Sequence, residues 1–198
     1  IGNEMFGWNL DTVDNSKKVI QFRDDVTIAD SVEMDLFGYL KTSSNSKKRS
    51  AVARLSHALS LEPYNSDMEF LNNMGLANRI DEAPNLANLE HHLSHYAYHI
   101  SVDLHRVGID EDVQLSADEK KRRVEQLLDV LKVLYRDIKG RRENLSPLFI
   151  IGGIYDVSNP FYMGRIRLDK SENGWKLDVQ QLFEAANITW QGKPVLDD

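Results

Sequence analysis

Five cations with no intervening acid, Lys41, Lys47, Lys48, Arg49 and Arg54, occupy the stretch from Lys41 to His57. Lysine and arginine at this density are the side chains that neutralise phosphate, and arginine offers a planar fork of donors to a single phosphate group. Ala51, Ala53, Leu55, Leu59 and Leu61 share one parity, while Arg54, Ser56 and Ser60 share the other. Residues 51–61 therefore read as a half-buried strand with a cation and two hydroxyls on its open face. Further candidate cations are Arg79, the pair Arg141 and Arg142, and Arg165 with Arg167. Three of these cationic groups fall on or beside expected strands, where cations follow phosphates and Tyr or His rings stack on bases. The same pattern also fits an ordinary surface strand running into a polar loop.

Other residue types suited to chemistry carry less. Five histidines lie between His91 and His105, and His91, His95 and His99 have four-residue spacing. On a helix this would gather three imidazoles as a zinc site. However, Tyr96, Tyr98, Ile100, Val102 and Leu104 alternate with His95, Ala97, His99, Ser101, Asp103 and His105. That alternation reads as a strand, along which the rings share a face but do not converge on one ion. Residues 169–174 mimic the start of a calcium loop, yet Gln180 stands where the bidentate Glu belongs. There is no cysteine, and no GxSxG, HExxH or Walker-type phosphate loop. The residues give an enzyme no positive support, and neither metal nor cofactor is expected.

The elements that must position these groups read as α+β. Residues 19–22 form a candidate strand, 24–35 an acidic connection, and 36–40 (LFGYL) a short buried strand. The exposed KTSSNSKK loop then leads into the 51–61 strand, giving a hairpin with a long tip. Residues 62–92 are irregular and rich in Asn; loops this long inside a compact domain are usually functional or disordered. The clearest strand is 95–105. The clearest helix opens on the capping box Ser116-Ala-Asp-Glu119. It carries Val124, Leu127, Leu128, Leu131, Leu134, Tyr135 and Ile138 at helical spacing, stops at Gly140, and leaves Lys120, Arg122 and Arg123 in water. Residues 148–155 form an apolar strand. Residues 165–168 and 175–177 flank an Asn173-Gly174 turn as a hairpin, and 179–186 form a short helix. Strands, a long insertion, a strand, a helix and further strands make a helix packed on one face of an antiparallel sheet.

The 198 residues suit one domain. No apolar run approaches the roughly 18 residues needed to span a bilayer, and the absence of cysteine fits a cytosolic location. The net charge of −7 argues against a general nucleic-acid-coating protein, but the charge is unevenly spread. Residues 1–40 hold eight acids and three bases, 41–57 five bases and no acid, and 120–142 nine bases and three acids. Cationic strips on an acidic body confine binding to particular places.

Five ordered segments carry a resemblance: DLFGYL (35–40), KKRSAVARLSHALSLEPYNSDMEF (47–70), NMGLANR (73–79), HYAYHISVDLHRVG (95–108) and RRENLSPLFIIGG (141–153). Together they resemble the Cas-seven subunit of type I-B CRISPR systems, the DevR group, over roughly residues 20 to 170. The resemblance implies a modified RNA-recognition-motif (ferredoxin-like) palm over residues 1–198, interrupted by a thumb- or web-like insertion at 41–92. It also implies that pieces of the palm belong before and after this stretch. Copies would line up along the guide RNA (crRNA) of a Cascade complex in the cytoplasm, with other Cascade subunits as partners and target DNA met indirectly. The subunit itself would not cut. Lys47 to Arg54 would touch the guide backbone, and the insertion bearing Met74, Asn78 and Arg79 would approach the RNA or the next subunit. Two rivals remain: a metal-dependent ribonuclease using the His-rich strand or Asp103, and a protein-binding module whose cations are incidental.

Overall fold

The computed structural model describes residues 13–14, 21–42, 46–72, 75, 79, 86–111, 113–138, 140–156, 159–172, 174–190 and 193–194. They divide into two compact units. One is drawn from Ile1–Leu55, Ile100–Pro160 and Leu196–Asp198, the other from Ser56–His99 and Phe161–Val195. The architecture is mixed helix and strand, hence α+β. Among the described residues every strand pairing is antiparallel and every sheet two-stranded.

In the first unit, helix α1 (Val32–Phe37) begins where the Ser31 hydroxyl accepts the Met34 N–H at 3.2 Å, an N-cap, and it buries Val32, Met34, Asp35 and Leu36. This corrects the reading of residues 36–40 as one strand. The chain turns at Gly38 (φ +77°), where a Cβ would collide with the Arg49 carbonyl and with Ala51 N at 2.8 Å. Only glycine serves both demands. Strand β1 (Tyr39–Lys41) then pairs with β2 (Lys47–Arg49) in the register Tyr39↔Arg49, Leu40↔Lys48. The expected 51–61 strand is shorter: β3 (Ala53–Leu55) pairs with β4 (Ile100–Val102), and residues 56–58 leave the ladder. A 3-10 turn, Leu104–Arg106, follows β4, so the expected 95–105 strand also ends early.

Strands β5 (Ile109–Asp110) and β6 (Val113–Gln114) precede helix α2 (Ala117–Lys132). The Ser116 hydroxyl accepts the Glu119 N–H at 3.3 Å, as the capping box requires. The Glu119 carboxylate does not reach back to the cap but takes the guanidinium groups of Arg122 and Arg123. The helix also stops six residues sooner than its apolar spacing implies. Residues 135–138 instead form β7 (Tyr135–Ile138), paired with β8 (Arg141–Asn144), and Gly140 (φ +76°) belongs to the hairpin turn. Residues 148–155 form no strand: Leu148, Ile150 and Ile154 are exposed, and no other described strand takes up their backbone groups.

The core of this unit has two apolar clusters. Val32, Leu36, Val52, Ala53, Val107 and Leu127 form one, joined by Val102 and Val124; Val26, Ile28 and Met34 form the other. Among them sits a charged group. Asp35 is 0% exposed, and the side chains of Arg49 and Arg123 are 3% and 2% exposed. Asp35 Oδ1 accepts Arg49 Nη2 at 2.8 Å, Oδ2 accepts Arg123 Nη1 at 3.0 Å, and the Gly108 N–H donates to both oxygens. Arg49 also donates to the carbonyls of Asp35, Ile109 and Arg106, and Arg123 to those of Ile28 and Ala29. Arg123, expected in water, is therefore a core residue, as is Arg49. Lys41 is buried as well, its ammonium on the carbonyls of Asp24 and Val26, and burial lowers its pKa.

In the second unit, Leu59–Ser60 pairs with Tyr96–Ala97, and Asp67–Asn72 with Leu86–His91, so much of 62–92 is a regular hairpin. Arg167–Ser171 pairs with Gly174–Asp178, Leu168 opposite Leu177 and Ser171 opposite Gly174, so the expected hairpin forms but Gly174 belongs to its second strand and not to an Asn173-Gly174 turn; helix Gln180–Ala186 buries Leu182 and Ala185. Among the described residues no helix is long and apolar enough to cross a membrane.

Removing one member of a buried ion pair leaves the other charge uncompensated, which costs about 3–5 kcal/mol, whereas apolar replacement of the whole set is often near neutral. Asp35→Ala should thus lower the unfolding free energy, measured in urea, by about 3–5 kcal/mol, and simultaneous apolar replacement of Asp35, Arg49 and Arg123 by less. Hydrogen bonds from Arg122 and then Arg123 hold the Glu119 carboxyl at about 2 against an ordinary 4.5. Its contribution is complete above pH 4.5 and lost as pH falls toward 2. The stability gap between the parent and Glu119→Gln should therefore stay constant above that range and close through it on acid titration.

Candidate nucleic-acid interface

Strand parity sorts the cations of the Lys47–Arg54 strip. Arg49 faces inward to Asp35 and, at 3.3 Å, to Asp110. Every bond it makes is internal, so it is withdrawn from the expected phosphate contacts. Asp110 in turn accepts the Tyr39 hydroxyl at 2.9 Å; burial and then this bond push the phenol up to about 12. Lys47 is exposed but ion-paired with Glu111 at 2.6 Å. Lys48 points to the opposite side, beside exposed Leu40, and forms no ion pair among the described residues.

Arg54 leaves β3 on its open face, opposite Ser101 of β4. Two residues further along β4's direction stands Asp103, on the same face, its N–H donated to the Val52 carbonyl at 3.1 Å. Arg54 Nη2 lies 2.9 Å from Asp103 Oδ2, and the 3-10 turn returns Arg106 to the same oxygen, Nη1 at 3.5 Å. Arg106 Nη2 also donates to the Ser50 carbonyl at 3.3 Å. Two guanidinium groups on one carboxylate leave a net positive charge, with Arg54 48% and Arg106 34% exposed. Arg106 was missed in the sequence because it sits alone after a histidine; its i,i+3 spacing from Asp103 was the available signal.

The other basic run is largely neutralised. On helix α2, Arg122 meets Glu119 at 2.7 Å, Lys121 meets Glu125 and Lys132 meets Asp129. On the β7–β8 hairpin, Arg136 pairs with Glu143 at 2.6 Å and Arg142 with Asp137 at 2.8 Å. The Arg142 guanidinium also lies 4.6 Å from the Tyr135 ring centroid. The Arg142 hydrogen bond holds the Asp137 carboxyl below its ordinary value, and Asp137 raises Arg142 in return. Arg141 is exposed opposite Ile138.

In the second unit, Arg167 is exposed at the start of its strand, Arg165 is half-buried in the preceding turn, and Arg79 is exposed. Met74 and Asn78 lie outside the described residues. Three histidines of this unit have separate partners. His91 meets Glu69 at 2.8 Å, His95 Nδ1 meets Glu62 at 2.5 Å, and His92 Nδ1 lies 2.7 Å from the Tyr96 hydroxyl. The His95 N–H, then its ring, lowers the Glu62 pKa, while burial lowers that of His99. Among the described residues no group of three or more His, Asp or Glu is placed to hold a metal ion.

A family model described as CRISPR-associated negative auto-regulator DevR/Csa2 matches residues 6–172 of the chain. No curated protein and no solved structure matches it.

Half-exposed ion pairs contribute little to stability. Arg54→Ala and Lys48→Ala should each change the unfolding free energy by less than about 1 kcal/mol, measured by denaturant titration. Arg49→Ala, in the same assay, should fall in the several-kcal/mol range of a broken buried pair.

Proposed function

The chain belongs to the CRISPR-associated DevR/Csa2 family, and on that premise we propose that it is a non-catalytic subunit that binds guide RNA as part of the backbone of a type I-B surveillance complex. The observation that carries this reading is that two cations of the 47–54 strip in the first unit are turned to solvent. Lys48 and Arg54 point outward from β2 and β3, while the buried cations are used up internally. The proposal includes a modified RNA-recognition-motif palm, of which the β3–β4 pairing backed by α1 would be the nucleus. It also includes assembly of several copies along the RNA with other Cascade subunits in the cytoplasm.

Electrostatics set what one copy can do. An acidic chain with few outward cations neutralises few phosphates, so a single copy binds weakly and without sequence preference. Tight binding then comes from several copies on one strand, where each added contact is intramolecular.

The test is binding of a labelled single-stranded RNA of mixed sequence at graded salt. Affinity should fall with salt at a slope of about −0.7 for each phosphate neutralised. Lys48→Glu combined with Arg54→Glu should weaken binding by at least about tenfold, equivalent to about 1.4 kcal/mol. RNA incubated with the parent and Mg²⁺, Mn²⁺ or Zn²⁺ should be recovered intact. Metal-dependent turnover that disappears in His95→Ala would instead establish the ribonuclease reading.

A further inference from the structure

We propose that Arg54 and Arg106 together form a clamp for one phosphodiester of single-stranded RNA, and that Asp103 is the positioning residue that assembles the clamp. The inference rests on the RNA-binding reading above and names a subsite within it.

The chain uses arginine in two distinct ways. Arg49 and Arg123 are enclosed and their donors are spent on carboxylates and carbonyls. Arg54 and Arg106 are partly in water, and among the described residues they make two contacts to Asp103 and one to the Ser50 carbonyl. A guanidinium carries more donors than this, in a rigid plane that matches two phosphate oxygens. The remaining donors of both groups are therefore available to a ligand.

Two like charges brought side by side repel, and an anion between them removes that cost. Asp103 fills this role with one oxygen, Oδ2, that both guanidinium groups share. The carboxylate does not wander, because the backbone that carries it is fixed. Asp103 N–H is bonded to Val52, whose own N–H is bonded to the Leu36 carbonyl at 2.9 Å. Arg106 is delivered by a turn whose end is also fixed, through the Arg106 carbonyl on Arg49 and Gly108 on Asp35. The result is a pair of arginines from separate backbone segments held within reach of one anion, with a net positive charge. This arrangement fits a phosphodiester and offers nothing that distinguishes one base from another.

The test measures RNA affinity and salt slope for three variants of the full chain, with thermal unfolding followed in parallel. Arg106→Ala should bind about tenfold more weakly, as for loss of a charge-assisted contact, with a salt slope shallower by about 0.7. Asp103→Ala, which frees the two guanidinium groups to separate, should weaken binding to a similar level. Asp103→Asn keeps an acceptor oxygen between the arginines and removes the negative charge, and should bind a few-fold more tightly than the parent. That rescue separates positioning from a merely structural role. The clamp is overturned if, with parental binding intact, Arg106→Ala binds like the parent or Asp103→Asn is no tighter than Asp103→Ala. Failure of the parent itself to bind RNA overturns the RNA-binding reading, and the clamp with it.

Discussion

One carboxylate organises the first unit. Asp35 projects from the short helix α1 into a space that excludes water. There it can persist as an anion only if its oxygens are saturated by donors. The donors come from three other parts of the chain: Arg49 of β2, Arg123 of α2 and the backbone of Gly108. Because Arg49 must point inward to reach it, strand alternation forces Lys48 outward. Because Gly108 must approach within hydrogen-bonding distance, the turn ahead of it is held in place, and with it Arg106. The polarity of the outer surface is thus a consequence of a charge pairing at the centre.

This dependence explains which features were legible in the sequence. Local signals with their own chemistry succeeded. Ser116 caps α2, and residues 167–178 form the expected hairpin, although Gly174 pairs with Ser171 in the ladder where the Asn-Gly signal places it in the turn. The Arg49 and Arg123 roles were not legible, since their shared partner lies 14 and 88 positions away and a charge in a sequence reads as solvated until its partner is known. The end of α2 failed for a different reason. Leu134, Tyr135 and Ile138 continue the helical period, but two cross-strand ion pairs and the Arg142–Tyr135 contact favour a hairpin over one more turn of helix. The cationic strip was legible as composition and not as surface. Of Lys47, Lys48, Arg49 and Arg54, one is buried and two are engaged with carboxylates.

The distinction between balanced and unbalanced charge then separates the candidate site from its surroundings. Helix α2 and the β7–β8 hairpin carry nine of the chain's 24 Lys and Arg residues, and Lys121, Arg122, Lys132, Arg136 and Arg142 among them lie opposite carboxylates at close range. Such ladders shape a soluble exterior and add little stability. The Arg54–Asp103–Arg106 group departs from that rule by placing one acid between two bases. On the RNA-binding reading proposed above, that local excess would give a polyanion a reason to settle in one place on an otherwise acidic chain.

The irregular apolar segment 148–155 has a practical consequence for handling the protein. Leu148, Ile150 and Ile154 fall on one parity and all face solvent, Leu148 at 88% exposure, in a stretch of sequence without a single charge. An uncharged, exposed apolar segment outside the described strand ladders is a template for association between molecules. Colloidal behaviour of the isolated chain is therefore governed there: concentration and salting-out anions promote precipitation, and a lysine introduced at position 150 suppresses it without touching the folded interior.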